Sequence, residues 1–140
     1  MSTTRAASTG LLALAGLHVV WATGSSWPMR SEGDLVDTVT GRSGGKAPGP
    51  AACLAVAGAL ATAAALVSGR PRRAPGLSRL GSSAVVTAFT VRGAFGLAGR
   101  TDILVPGSSS EAFRARDRQL FAPICLTVAA LSAPACRRRR

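Results

Sequence analysis

The sequence predicts an all-α fold: a four-helix antiparallel transmembrane bundle forming a single domain over residues 1–140. Three observations predict it. Four stretches of about twenty residues carry no charge or a single one, and that is the length a helix needs to cross a hydrocarbon core. Charged residues make up only 16% of the chain, against about 25% in a soluble domain. The stretches are apolar all round instead of along one stripe, so as a soluble bundle they would have no face to offer water. The expected spans are residues 6–24, 50–69, 81–99 and 118–135, followed by a basic tail at 137–140.

The first span lies in the uncharged run from Ala6 to Met29, with "LLALAGLHVVWA" at its centre. Arg5 ahead of it and the small residues from Ala22 to Ser26 also resemble a secretory signal peptide, but the apolar run continues past a typical signal core. Trp21 and Trp27 suit a membrane interface, where amphipathic rings settle. The connection from Trp27 to Pro50 ends in "GRSGGKAPGP" and is expected to be mostly irregular. The second span, "AACLAVAGALATAAALVSG", has Ala, Leu and Val on every side. The third contains one charge, Arg92. After it "PGSSS" marks a turn, and a short helix is expected to start at Ser110, with that serine as N-cap. Pro123 and Pro134 fall in the last span, where each frees a backbone carbonyl that neighbours must satisfy. The "RRRR" tail reads as an anchor against anionic headgroups.

Seventeen basic and six acidic residues give a net charge of +11. The cations form short clusters between apolar runs, without the continuous basic stripe of a nucleic-acid interface, so no nucleic-acid partner is expected. Their distribution orients the bundle. With a cytoplasmic N-terminus, the inner segments hold Arg5, Arg70, Arg72, Arg73, Arg79 and Arg137 to Arg140, and all six acids fall outside. Short, acid-free basic loops stay inside, which predicts a multi-pass cell-membrane protein with both termini cytoplasmic. Cys53, Cys125 and Cys136 are widely spaced and His18 is the sole histidine. That pattern matches no zinc spacing, and neither a metal nor a cofactor is expected.

A charge at membrane depth needs a partner or a wet cavity. Arg92 lies about 10 Å from the outer end of its helix and His18 about 9 Å from the end of its own, at 1.5 Å per residue. Arg92 is expected to face the interior and pair with Asp117, or failing that with Asp102. The alternative is that it snorkels to the headgroups. His18, Trp21, Arg92, Asp117 and Cys125 make up one candidate polar pocket, with Cys53 and Cys125 as a candidate redox pair on helices taken to be adjacent. Gly93, Gly96 and Gly99 recur three apart, a small-residue face for helix approach.

The stretches "GLHVVWATGSSWP", "AACLAVAGALATAAALVSG" and "RGAFGLAGRTDILVPGSSSEAFRARDRQLFAPICL" resemble the domain-of-unknown-function 3995 family of small bacterial membrane proteins. The resemblance covers nearly the whole chain and implies a four-span integral membrane protein of a kind common in actinobacteria. It marks His18, Trp21, Arg92, Asp117, Pro123 and Cys125 as matching family motifs and implies no activity. Family members often carry tyrosine and serine where this chain has Phe121 and Ala122. The leading functional expectation is non-enzymatic: an outer-leaflet polar pocket for a lipid, a small ligand or a partner membrane protein, with Arg92 as the anion contact. The alternative is an enzyme or thiol-redox module acting on a lipid or quinone, with His18 as acid/base or Cys53 and Cys125 as a dithiol.

Overall fold

An apolar segment in lipid has no water for its backbone groups, and a helix satisfies them within the segment. The computed structural model describes residues 2–42, 44–70, 73–108 and 110–137, and within these the chain follows that rule. In chain order the helices are α1 (Thr3–Ala22), α2 (Glu32–Thr40), α3 (Pro50–Val67), α4 (Pro75–Leu97), α5 (Thr101–Leu104), α6 (Glu111–Arg116) and α7 (Ala122–Cys136). One π-helical turn, Asp117–Phe121, joins α6 to α7, so that Glu111–Cys136 is a continuous helical stretch. Prolines open α3 and α4 at the first helical position, where a missing N–H costs nothing. Gly69 and Gly99 follow the last turns of α3 and α4 at φ +86° and +68°, backbone geometry that glycine adopts without a Cβ penalty.

Four helices, the α1, α3, α4 and Glu111–Cys136 segments, are long and apolar enough to cross a membrane. Between 22% and 28% of each spanning window is buried by protein. The remaining surface exposes side chains such as Leu12, Leu54, Leu77 and Leu80, and in a multi-pass membrane protein lipid covers them. Of the tail cations, Arg137 ends the described residues; Arg72 of the α3–α4 loop and Arg138 to Arg140 lie outside them.

The bundle is two antiparallel hairpins, α1 with α3 and α4 with α7, closed into a ring by α1 against α7 and α3 against α4. Toward the end of the bundle that holds the termini, the core is Ala7, Leu11, Ala63, Ala64, Val67, Val85, Val128 and Ala135. Residues this small allow close helix approach. Ser8 Oγ donates to the Ala64 carbonyl at 3.0 Å and Ser82 Oγ to the Leu66 carbonyl at 3.3 Å, so both hydroxyls are satisfied across helix seams.

The opposite end departs from expectation in one of its two connections. The Trp27–Pro50 connection contains α2, and its cause is local. Ser31 accepts from the Asp34 amide at 3.1 Å and donates to the Asp34 carboxylate at 2.8 Å, a reciprocal N-terminal cap. Leu35 and Val36 then bury on one face, and Gly41 at φ +68° stops the helix. The α6 helix starts as expected, with the Ser110 hydroxyl accepting from the Phe113 amide at 3.2 Å. The two connections interlock. Arg116 Nη1 donates to Thr38 Oγ1 at 2.7 Å, and Arg42 Nη2 to the Pro106 carbonyl at 2.6 Å. The Phe113 ring, 2% exposed, sits where a Cβ on Gly41 would have to be.

Candidate functional site

Arg92, in the loop-side half of α4, lies beneath this cap. Arg92 Nη2 donates to Asp117 Oδ1 at 2.8 Å and Nη1 to Oδ2 at 3.1 Å, the two-pronged geometry that guanidinium and carboxylate favour. Thr101 Oγ1, at the start of α5, donates to the same Oδ2. Asp117 is 1% exposed and the Arg92 side chain 28%, so the guanidinium turns inward and does not snorkel. Asp102, the second candidate partner, lies instead 3.8 Å from Arg100.

The π turn makes this clamp possible. In an α-helix, residues five apart point about 140° away from each other; a turn closed by i→i+5 bonds brings them toward one face. Asp117 and Ala122 are five apart, and both stand against Gly96: a Cβ there would lie 3.1 Å from Asp117 Oδ1, 2.8 Å from Ala122 Cβ and 2.9 Å from Arg92 Nη1. Pro123 supplies a cause for the wide turn, because its ring clashes with the carbonyl four residues back, that of Gln119. Gly93 fits under Leu126 in the same seam. Arg118 crosses Gly99, its Nη2 reaching the Ala98 carbonyl at 3.5 Å at the end of α4.

A second feature lies on the other hairpin. A cavity of about 370 Å³ is enclosed by the loop-side halves of α1 and α3 and one face of α2. That size falls within the roughly 300–1,000 Å³ of small-molecule sites. Its walls are mostly apolar, among them Leu35, Val36, Val39 and Val56, with His18, Trp21, Glu32, Thr40 and Cys53 interspersed. His18 Nδ1 is 2.8 Å from the Leu14 carbonyl, and its ring meets Trp21 edge-on with centroids 4.8 Å apart. Trp21 Nε1 donates to the Trp27 carbonyl at 2.7 Å.

Comparison with known proteins places the chain. The sequence model of the family described as "Protein of unknown function (DUF3995)" matches residues 11–132. The chain belongs to this family. No curated protein and no solved structure matches it. The matched range takes in α3 and α4 whole, the larger part of α1 and of the last span, the Arg92–Asp117 clamp and the whole cavity wall of this DUF3995 member.

The single pocket expected from the sequence is two separate features in this DUF3995 member. Arg92 and Asp117 come together, with Cys125 half-buried further along α7 and within electrostatic reach of both. His18 and Trp21 instead line the α1–α2–α3 cavity with Cys53. Cys53 and Cys125 are free thiols on α3 and α7, which occupy diagonal corners of the ring. The expectation of adjacent helices treated the second and fourth spans as neighbours, whereas closure of the ring pairs α3 with α1 and α4. The expected role of Arg92 as anion contact changes for a physical reason: both Nη groups are engaged by the chain's own carboxylate. Sequence reasoning missed Thr101, Glu32 and the apolar wall from α2. The signal for α2 was present in "SEGDLVDTVTG", a capping serine three residues before an acid, followed by Leu35, Val36 and Val39 at helical spacing.

Proposed function

We propose that this protein is a non-enzymatic cell-membrane protein that holds an amphiphile in the α1–α2–α3 cavity, at the outer-leaflet end of the bundle. The cavity carries the reading: about 370 Å³ of mostly apolar wall with a few polar groups at the level of the loops, which is the composition of sites that orient one polar head and cover an apolar body. Val19, Val20 and Leu54, next in sequence to the wall residues His18, Trp21 and Cys53, are exposed apolar side chains, a surface suited to an apolar tail. The Arg92–Asp117–Thr101 clamp is the fixed part, holding α4, α5 and the π turn ahead of α7 together beneath the cap.

Mass spectrometry of lipids extracted from the protein purified in mild detergent tests this against Val39→Trp, which fills the cavity from α2. Enrichment of one amphiphile class on the native chain, lost in Val39→Trp, is the expected result. The same lipids on both proteins would overturn it. Orientation has its own test. The described cations of the α3–α4 loop, Arg70 and Arg73, and Arg5 near the N-terminus favour a cytoplasmic terminal face. A reporter fused at Pro75 therefore reads cytoplasmic, and an external signal reverses the topology.

A further inference from the structure

The polar groups around the cavity are unevenly free. Trp21 Nε1 is engaged by the Trp27 carbonyl at 2.7 Å, Thr40 Oγ1 by the Val36 carbonyl at 2.7 Å and Ser26 Oγ by the Met29 carbonyl at 3.4 Å. The Cys53 thiol points at the Pro48 carbonyl at 3.6 Å. These side-chain donors of the wall are thus committed within the chain, while the Ser25 hydroxyl accepts from the Trp27 amide at 3.2 Å and keeps its own hydrogen to give.

His18 differs. A carbonyl oxygen only accepts, so the 2.8 Å contact with Leu14 fixes the hydrogen of the neutral ring on Nδ1. Nε2 is then an acceptor, and it has no hydrogen-bond partner among the described residues. At the same wall, α3 begins at Gly49 and Pro50 with no side-chain cap, which leaves first-turn amides such as that of Ala52 as donors. Among the described residues no lysine or arginine lines the cavity, whereas Glu32 does. A phosphate head would meet that carboxylate with no cation to offset it. An ammonium head would leave the α3 amides unanswered. A hydroxyl both donates and accepts.

We infer that the α1–α2–α3 cavity selects an amphiphile with an uncharged hydroxyl head, which donates to His18 Nε2. The inference rests on the cavity reading above and adds the head group and the residue that recognises it. His18 is the specificity-determining residue. Its edge-on contact with Trp21 places the recognising ring beside an indole, so the site carries its own optical reporter.

The chain has two tryptophans. The Trp27→Phe variant leaves Trp21 as sole emitter and keeps the backbone carbonyl that Trp21 Nε1 bonds. This variant, in micelles, is titrated with amphiphiles of one brominated tail bearing an alcohol, its methyl ether, a primary ammonium or a phosphate monoester, because bromine quenches indole. The expected result is saturable quenching by the alcohol, with the ether about five- to tenfold weaker for loss of one hydrogen bond and the charged heads weaker than the alcohol. Adding His18→Phe keeps a ring against Trp21 and makes alcohol and ether equal; adding His18→Gln, which retains an acceptor, restores the preference. Equal binding of alcohol and ether by the native histidine, a preference that survives His18→Phe, or tightest binding of a charged head would each overturn the hydroxyl inference while leaving the cavity occupied. Absence of saturable quenching by any head overturns the cavity reading as well.

Discussion

The two hairpins meet the same cap and behave oppositely beneath it. Where α4 and α7 approach the loops, the seam is tight: Gly93 and Gly96 admit Leu126 and Ala122, and the Arg92–Asp117 pair lies against Gly96. Where α1 and α3 approach the loops, the side chains leave about 370 Å³ open. Glycine content does not explain the contrast. Gly10 and Gly16 of α1 and Gly58 of α3 have nothing within 4 Å of where a Cβ would stand, whereas a Cβ at Gly93 or Gly96 would collide. A closed seam requires glycines on the facing side together with a partner that fills them. The α1–α3 hairpin has its glycines turned elsewhere and bulky His18 and Trp21 at the corresponding level.

The largest expected effect attacks the closed seam. Arg92→Leu strands a carboxylate that is 1% exposed, and removing one member of a buried pair costs about 3–5 kcal/mol. Thermal unfolding in micelles measures it. Combined with Asp117→Asn the loss must be much less than additive, since the second change neutralises the stranded charge. Simple additivity would mean that the two groups do not depend on each other and that the seam is held by packing alone.

Gly96→Ala probes the packing half of the same seam. The new methyl meets Ala122 Cβ at 2.8 Å and Arg92 Nη1 at 2.9 Å. Overpacking of this kind costs about 1–3 kcal/mol, partly offset by the roughly 1 kcal/mol that alanine gains over glycine inside a helix. A net loss is expected. No loss would show that α4 and α7 can separate, and would put the seam in the same loose class as the cavity side.

The fold was legible because lipid imposes it. Four apolar runs of membrane length, three of them uncharged, leave few architectures, and the one arginine inside the other requires a carboxylate within reach. Asp117 was readable as the partner because it stands at the mouth of the next span. The grouping of the remaining polar residues was not readable. Depth along the membrane normal follows from residue counts, and by depth His18, Arg92 and Cys125 belong together. Position around the ring does not, because each helix's rotation and neighbours depend on packing among side chains nearly all alike. Thr101 was hidden for a related reason: "GRTD" reads as a loop, and a hydroxyl becomes a ligand for Asp117 only once a π turn has swung the carboxylate under it. The α2 signal was overlooked under the weight of "GRSGGKAPGP", although Ser31 and Asp34 carried it.

Thr101→Val sharpens the comparison at smaller cost. It removes one donor to Asp117 and leaves both Arg92 bonds in place, for a loss of about 1–2 kcal/mol, within the range for a buried hydrogen bond. The loss should shrink by about half in the Asp117→Asn, Arg92→Leu background, where the accepting oxygen no longer carries charge. A loss of the same size in that background would assign Thr101 to holding α5 in place independently of the ion pair.

The smallest effect is expected with the opposite sign. Gly58 lies on α3 with nothing within 4 Å of its missing Cβ, on a face left open by the protein. Alanine there adds a methyl toward lipid and removes the glycine penalty in a helix interior, a gain of about 0.5–1 kcal/mol. Measured beside Gly96→Ala in the same micelles, the pair separates glycines that serve helix contact from those that do not, and opposite signs are the prediction. A loss at Gly58 as large as that at Gly96 would require something to stand against α3 where the described residues offer nothing. If that loss disappeared on dilution to a single chain per micelle, the missing neighbour would be a second copy packed on the open side of the α1–α3 hairpin.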